Sequence, residues 1–511
     1  MTALLAIDQG TTGTTVLVVG TDGTIHSRGY AEHPQHFPTP GWVEHDAEAI
    51  WQSVLDATAA ALASSPAGAG EVAAVGITNQ RETIVAWDRT TSRPLGPTIV
   101  WQDRRTAERC DQLRASGFDE RIRELTGLPT DPYFSATKVE WLLRNDDEVA
   151  AAARDGRLAL GTIDSWLVWR LSGGTVHATD PSNAARTMLY DIHAGTWSPE
   201  LCDRFGVDPA WLPEVVPSSG HLAGVDPAAL PGIDAPVSGM AGDQQSALFG
   251  QACFTPGQAK ATYGTGAFVL VNSGRLAPST RRLISTIGWS HRGEVTYALE
   301  GSIFTAGATI QWLRDGLGII DSAPEVSTLA AEVADSGGVT LVPALAGLGA
   351  PHWNPHARAS ISGITRGTRP AHIARAALEA IAFRVRENVE AMELEGTPVS
   401  ELRVDGGMAA NDLFLQLQAD VLGVPVTRPT NIETTSIGAA FLAGLGAGTW
   451  SSLEEVASAW TAERTFEPAA DTSWVEAGWE RWQSVIDGFS PDPAHAGGPA
   501  PARSSARPTR P

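Results

Sequence analysis

Two segments of this chain, one at its start and one just past its middle, follow the same plan. In the first, the apolar run 4–7 leads into Asp8-Gln9-Gly10-Thr11-Thr12-Gly13-Thr14-Thr15 and leaves through residues 16–19. In the second, residues 258–264 reach a Gly264-Thr265-Gly266 turn and continue as 267–271. An apolar strand, a turn of glycine and hydroxyl residues and a second apolar strand spell a β-hairpin. Small residues at the tip leave backbone N–H groups and hydroxyls as donors for an anionic oxygen. The echo predicts two related halves facing each other across a cleft, with Pro256-Gly257 as the boundary. Asp8, at the exit of the first strand, stands where a carboxylate holds a phosphate-bound Mg2+ through water, because hard cations take oxygen ligands. An ordinary polar turn is the plainer reading of each hairpin.

Other phosphate cradles are excluded. A Walker-type loop requires Gly-Lys followed by Ser or Thr. The chain has only two lysines, Lys138 and Lys260, and neither follows a glycine. The clusters Gly264-Thr265-Gly266 and Gly444-Leu445-Gly446 lack the third glycine of the dinucleotide-binding fingerprint.

At 511 residues the chain exceeds what one core supports, so two domains are expected. Its formal charge of −22 argues against nucleic acid and against anionic membrane surfaces, both of which reward clustered cations. Cys110, Cys202 and Cys253 stand far apart and suit a reducing cytoplasm. The N-terminus lacks the basic start of a signal peptide, and no apolar run reaches the roughly 18 residues of a membrane span. A soluble cytoplasmic protein is expected.

Local patterns give an α/β order with a mixed sheet. Asp22-Gly23 turns the first hairpin into a third strand over 24–30, and Asp46 caps a helix over 47–63 that Pro66 stops. Strands follow at 72–78 and 83–87. A long amphipathic helix is predicted over 371–395, ended by Gly396, and another from Asn411-Asp412 to Gly423. Beyond about Ser490 the composition is that of a disordered tail.

Four further segments carry candidate chemistry. Thr78-Asn79-Gln80-Arg81-Glu82-Thr83 interrupts two apolar strands; its Arg81–Glu82 pair is either a solvated loop pair or a fork and carboxylate for the hydroxyls of a polyol. In Ile99-Val100-Trp101-Gln102-Asp103-Arg104-Arg105, Trp101 is either core or an aromatic wall for a small hydroxylated ligand. Tyr133, opening Tyr133-Phe134-Ser135-Ala136-Thr137-Lys138, offers its hydroxyl either to a ligand or to backbone. In Gly242-Asp243-Gln244-Gln245, Asp243 either caps a helix or projects into the cleft as a general base.

These segments resemble the FGGY family of carbohydrate kinases, within the actin-like (ribonuclease H-like) ATPase fold, from Leu4 to about Gly488. Two family-wide patterns are in place: residues 133–145, with Ser135, Lys138 and Trp141, and residues 359–379, with Gly363-Ile364 before His372-Ile373 and Ala376-Ala377-Leu378-Glu379. The segments 78–83, 99–105, 242–245 and 341–355 are most similar to the members that phosphorylate glycerol. The resemblance implies an N-terminal domain over 1–251, a C-terminal domain over 252–489, and a tail over 490–511. It also implies ATP and Mg2+ as cofactors, glycerol as substrate, no nucleic-acid or membrane partner, and a homo-oligomer. By matched position, Arg81, Glu82, Tyr133 and Asp243 would hold the glycerol hydroxyls, with Trp101 and Phe268 against its carbons and Gln244 beside it. Asp243 would be the general base and, with Asp8, would place the metal. Thr11, Thr12 and Gly13 would face the phosphates from one hairpin and Thr265 from the other. Gly307, Gln311, Gly407 and Asn411 would surround the rest of the nucleotide, although Gly407 also reads as a turn and Asn411 as a helix cap.

Two departures stand out. Thr15 occupies the position where the family's first phosphate loop usually carries a basic residue. Residues 224–236 contain no arginine, whereas some bacterial members carry there a Gly-Gly-Thr-Arg loop that binds fructose 1,6-bisphosphate. No control through that site is therefore expected.

Overall fold

The strands β1 (Ala3–Gln9), β2 (Gly13–Gly20) and β3 (Ile25–Glu32) form an antiparallel meander. Asp46 accepts hydrogen bonds from the N–H groups of Glu48 and Ala49 and so starts α1 (Ala47–Ser64). The helix returns the chain to β4 (Val72–Asn79), which lies parallel to β1. The computed structural model describes residues 2–277 and 282–489; the tail expected beyond Ser490 lies outside them.

Later strands extend the same sheet: β5 (Ser219–Gly224), β6 (Pro236–Gly242), β7 (Gln258–Tyr263), β8 (Ala267–Gly274), β9 (Ile284–His291), β10 (Glu294–Ile303), β11 (Glu401–Asp405), β12 (Val426–Pro429) and β13 (Ala462–Phe466). The thirteen run in the order β13-β12-β11-β7-β8-β10-β9-β5-β6-β4-β1-β2-β3. In each half a hairpin pairs antiparallel with a third strand on one side and parallel with a later strand on the other: β3-β2-β1-β4, then β10-β8-β7-β11. The two halves are therefore repeats of one plan.

The side chains that matter most are borne on α2 (Ser135–Asn145), α3 (Asp243–Gly250), α4 (Gly307–Asp315), α5 (Pro370–Leu394), α6 (Asp412–Leu422) and α7 (Thr434–Gly446). The two predicted long helices match α5 and α6 to within a residue. The C-terminal half's α7 crosses α3 very closely. A Cβ on Gly438 would lie 1.8 Å from the Ser246 carbonyl oxygen, and one on Gly250 would lie 2.0 Å from that of Thr434. Only glycine allows this approach, which locks α3 against the second half.

Separate buried clusters fill the two halves, around Ile7, Val18 and Val54 in the first and Val269, Ile381 and Phe414 in the second. The segment expected as a strand at 83–87 forms at Ile84–Asp88 but leaves the main sheet. It joins Glu44–His45, Thr98–Ile99 and Leu158–Thr162 in a four-stranded sheet, and Trp101 lies in the turn just after the Thr98–Ile99 strand. Among the described residues no helix is long and apolar enough to cross a membrane.

Candidate active site

Three parallel strands end side by side. The register sets Asp8 of β1 beside Thr78 of β4, and Thr78 beside Ala241 of β6. The next residues along these strands include Arg81 and Asp243, so the polar residues gather outside the strands' carboxyl ends, where open α/β sheets place ligands. The tips of both hairpins, Thr11 and Thr12 on one and Gly264, Thr265 and Gly266 on the other, line one cavity of about 650 Å³ together with Trp101, Tyr133, Gln244 and Phe268. The structure thus gathers Thr11, Thr12, Trp101, Tyr133, Gln244, Thr265 and Phe268, of the residues singled out in the sequence, around one space.

Arg81 is the hub. Its Nε forms an ion pair with Asp243 Oδ1 at 3.0 Å, Nη1 donates to Gln245 Oε1 at 3.2 Å, and Nη2 reaches the Tyr133 hydroxyl at 3.5 Å. Its guanidinium lies 5.9 Å from the centre of the Phe268 ring. Asp243 is the first residue of α3, its side chain about a third exposed, and its Oδ1 also accepts from the Gln244 N–H at 2.7 Å. Trp101 packs edge-on against Tyr133, and its Nε1 donates to Thr11 Oγ1 at 2.9 Å, tying the cavity wall to the first hairpin.

Glu82 is held differently from its neighbours. It adopts φ 62°, a conformation rare for a side-chain-bearing residue, and its carboxylate is buried and accepts from Arg186 Nε at 2.6 Å. Such backbone strain costs about 1–3 kcal/mol and persists only where surrounding contacts impose it. Burial pushes its carboxyl up, against the opposing pull of Arg186 and Arg81. Gly13 is buried too, and a Cβ there would lie 2.6 Å from the Ala31 carbonyl oxygen, so glycine lets the hairpin close on β3.

Asp8 Oδ2 accepts from Ser436 Oγ at 2.8 Å. Burial pushes its carboxyl up to about 7, and the nearby charges of Asp243 and Glu433 push the same way. None of the four residues expected around the nucleotide lines the cavity; Gly307 and the neighbour of Gly407 lie against the turn of the second hairpin. The Gly307 N–H donates to the Gly264 carbonyl at 3.0 Å, Gln311 lies one turn along α4, and Gly406, just before Gly407, packs on Tyr263. Asn411 caps α6 through a hydrogen bond from the Phe414 N–H.

Sequence reasoning missed Glu300, Arg186 and Lys260. Glu300 of β10 accepts from Arg81 Nη1 at 2.6 Å and from Arg186 Nη2 at 3.2 Å. Burial opposes its charge, but Arg186 and Arg81 outweigh that and hold it at about 2. A carboxylate inside the apolar run of β10 is the one local hint of it.

The comparisons with known proteins agree with this geometry. The N-terminal domain of the FGGY family of carbohydrate kinases matches residues 3–250, and its C-terminal domain matches residues 259–447. The chain belongs to the FGGY family of carbohydrate kinases. Among FGGY relatives, the glycerol kinase of Aromatoleum aromaticum is 55% identical over 490 residues, covering 95% of this chain and 98% of that one. The glycerol kinase of Dechloromonas aromatica is 54% identical over 487 residues, covering 95% and 97%. The crystal structure of Plasmodium falciparum glycerol kinase with ADP superposes with a TM-score of 0.90 at 36% identity, covering 96% of this chain and 98% of that one. This FGGY chain is therefore a kinase that uses ATP, with a two-domain α/β fold.

Proposed function

We propose that this chain transfers the γ-phosphoryl group of ATP to a primary hydroxyl of glycerol, giving sn-glycerol 3-phosphate. The observation that carries the reading is the cavity in which Tyr133, Trp101, Gln244 and Phe268 meet the tips of both hairpins, with Arg81 in contact with Tyr133 and ion-paired with Asp243. A three-carbon triol has little surface to bury, so selectivity rests on paired hydroxyl contacts, which reject ligands lacking a hydroxyl. Arg81, braced by Glu300, lies against the Tyr133 hydroxyl and Asp243 at the place where the glycerol hydroxyls would bind, while Phe268 and Trp101 cover the carbons. Asp243 accepts the proton of the attacking hydroxyl as its oxygen bonds to phosphorus and the bond to ADP breaks. Phosphoryl transfer asks for positioning and charge stabilisation rather than covalent help. Thr11 and Thr12 face the phosphates from one side and Thr265 from the other. Glu82 acts from beneath, by fixing Arg186 and Arg81.

Asp8 and Asp243 lie near enough for their charges to interact, and this all-oxygen donor pair fits Mg2+. Bound there with water and phosphate oxygens, Mg2+ would neutralise phosphate charge. Gly307, Gln311, Gly407 and Asn411 would enclose the adenosine. The domains divide at 251/252, and the protein acts in the cytoplasm as a homo-oligomer. The test is ADP release in a coupled assay. It should depend on glycerol, exceed that with xylulose, gluconate or erythritol, and collapse in Asp243→Asn. ATP turnover indifferent to any polyol rejects the proposal.

A further inference from the structure

The chain's two lysines are both buried. Lys138 donates to the Tyr133 carbonyl at 2.6 Å and so braces a residue already placed in the site. Lys260 has no such part. It lies on β7, opposite Leu270 of β8 and Arg403 of β11. Its Nζ donates to the Thr262 hydroxyl at 2.9 Å and to Gln244 Oε1. Both acceptors are neutral, and both line the cleft cavity. Charged groups act on it from further away: Asp405 at the end of β11, Asp243 on α3, Arg81, and Glu300 on β10.

Keeping an ammonium dry without a carboxylate bonded to it is costly, by several kcal/mol in general. The fold tolerates this cost beside the cleft. An ammonium only donates, so the contact turns the Gln244 carboxamide with its oxygen toward Lys260 and its NH2 group away. Because its two bonded partners are neutral, the positive field is only partly cancelled on the side facing Gln244 and Thr262. That side lies between Asp243 and the Gly264-Thr265-Gly266 turn.

We infer that Lys260 is a positioning residue for phosphoryl transfer: it orients Gln244 beside Asp243 and lends fixed positive charge to the stretch of cleft the phosphoryl group crosses. The inference rests on the kinase reading above and adds to it a residue that touches neither substrate. Preorganised charge of this kind acts on the transition state more than on ground-state binding.

Steady-state kinetics on the full-length protein test it. Lys260→Met is expected to lower kcat about tenfold or more while moving glycerol KM less than about threefold. Lys260→Arg keeps the charge and is expected to recover part of the loss. Gln244→Leu should also lower kcat, and the double variant should fall no more than about twofold below Lys260→Met, because the two act as a unit. A Lys260→Met enzyme with kcat within about twofold of the parent overturns the inference, as do losses that multiply in the double variant. Should Lys260→Met not fold, Thr262→Val and Gln244→Leu probe the same contacts from the acceptor side, and unchanged kcat in both overturns it equally. Failure of the parent enzyme to release ADP in response to glycerol removes the kinase reading and this inference together. An active parent with an unimpaired Lys260→Met removes the inference alone.

Discussion

Arg81, on the loop after β4 of the first half, and Glu300, on β10 of the second, meet at 2.6 Å in a fully buried ion pair. The contact joins the two halves at the cavity. Glu300 also takes Arg186 at 3.2 Å, and Arg186 in turn holds Glu82, so two cations and two carboxylates close on one another. Removing one partner of such a set strands a buried charge, whereas the intact set is nearly balanced. Glu300→Gln is accordingly expected to raise glycerol KM about tenfold or more, with ATP KM changed far less. Equal rises in both would mean that Glu300 seats the halves without bearing on Arg81.

Asp243 has one carboxylate oxygen committed to Arg81 and the Gln244 N–H, which leaves Oδ2 for a hydroxyl proton. Asp243→Asn preserves shape and the Arg81 contact but removes the base. Loss of kcat by about 10²–10⁴ is expected, with an unchanged thermal midpoint. Residual kcat above a tenth of the parent's would move the base elsewhere.

Thr15 leaves the first hairpin without a cation of its own, but Arg28 on β3 reaches across to it. Arg28 Nη2 lies 3.5 Å from Thr15 Oγ1, and Nε lies 3.6 Å from Glu433. A charge-assisted contact to phosphate is worth about 1.5–3 kcal/mol. Arg28→Ala should therefore raise ATP KM at least about fivefold, and Thr15→Arg should lower it. Indifference of ATP KM to both changes would take the phosphates away from this hairpin.

Asp164 is fully buried, accepting from Thr179 Oγ1 at 2.6 Å and from Thr162 Oγ1, and burial, helped by Asp180, pushes its carboxyl up from 3.8 to about 7. The folded chain therefore binds this proton more tightly than the unfolded chain. The stability it contributes is whole below pH 3.8 and is lost as pH rises through about 7. Asp164→Asn should remove that loss, an effect on the order of 2 kcal/mol between pH 5 and pH 8, read from thermal midpoints across that range. A parallel decline in parent and variant would assign the pH dependence to other groups.

The connection from β5 to β6 carries Asp226 and Asp234 and no arginine. Fructose 1,6-bisphosphate added to the coupled assay should leave activity unchanged. Inhibition that persists at saturating substrates would reveal a site for it elsewhere.

The alternating apolar runs and glycine turns made both hairpins, the mixed sheet and the long helices legible, because hydrogen bonding and burial at that scale are local. The polar interruptions at 78–83 and 242–245 marked the site for the same reason: charged residues at strand ends go against the surrounding pattern. Local pattern thus supplied the parts and their chemistry: two cradles of donors, a carboxylate at the start of α3, and aromatic residues for a wall. How they serve one another depends on long-range packing. Glu300 lies 219 positions from Arg81, and Lys260 reads as a lone cation in an apolar strand until β7 is set against α3. Pairing of buried charges depends on distances that sheet register and the crossing of α7 over α3 fix, and no local pattern encodes those distances. The same packing set Glu82 against Arg186 and brought Arg28 beside the hydroxyl of Thr15.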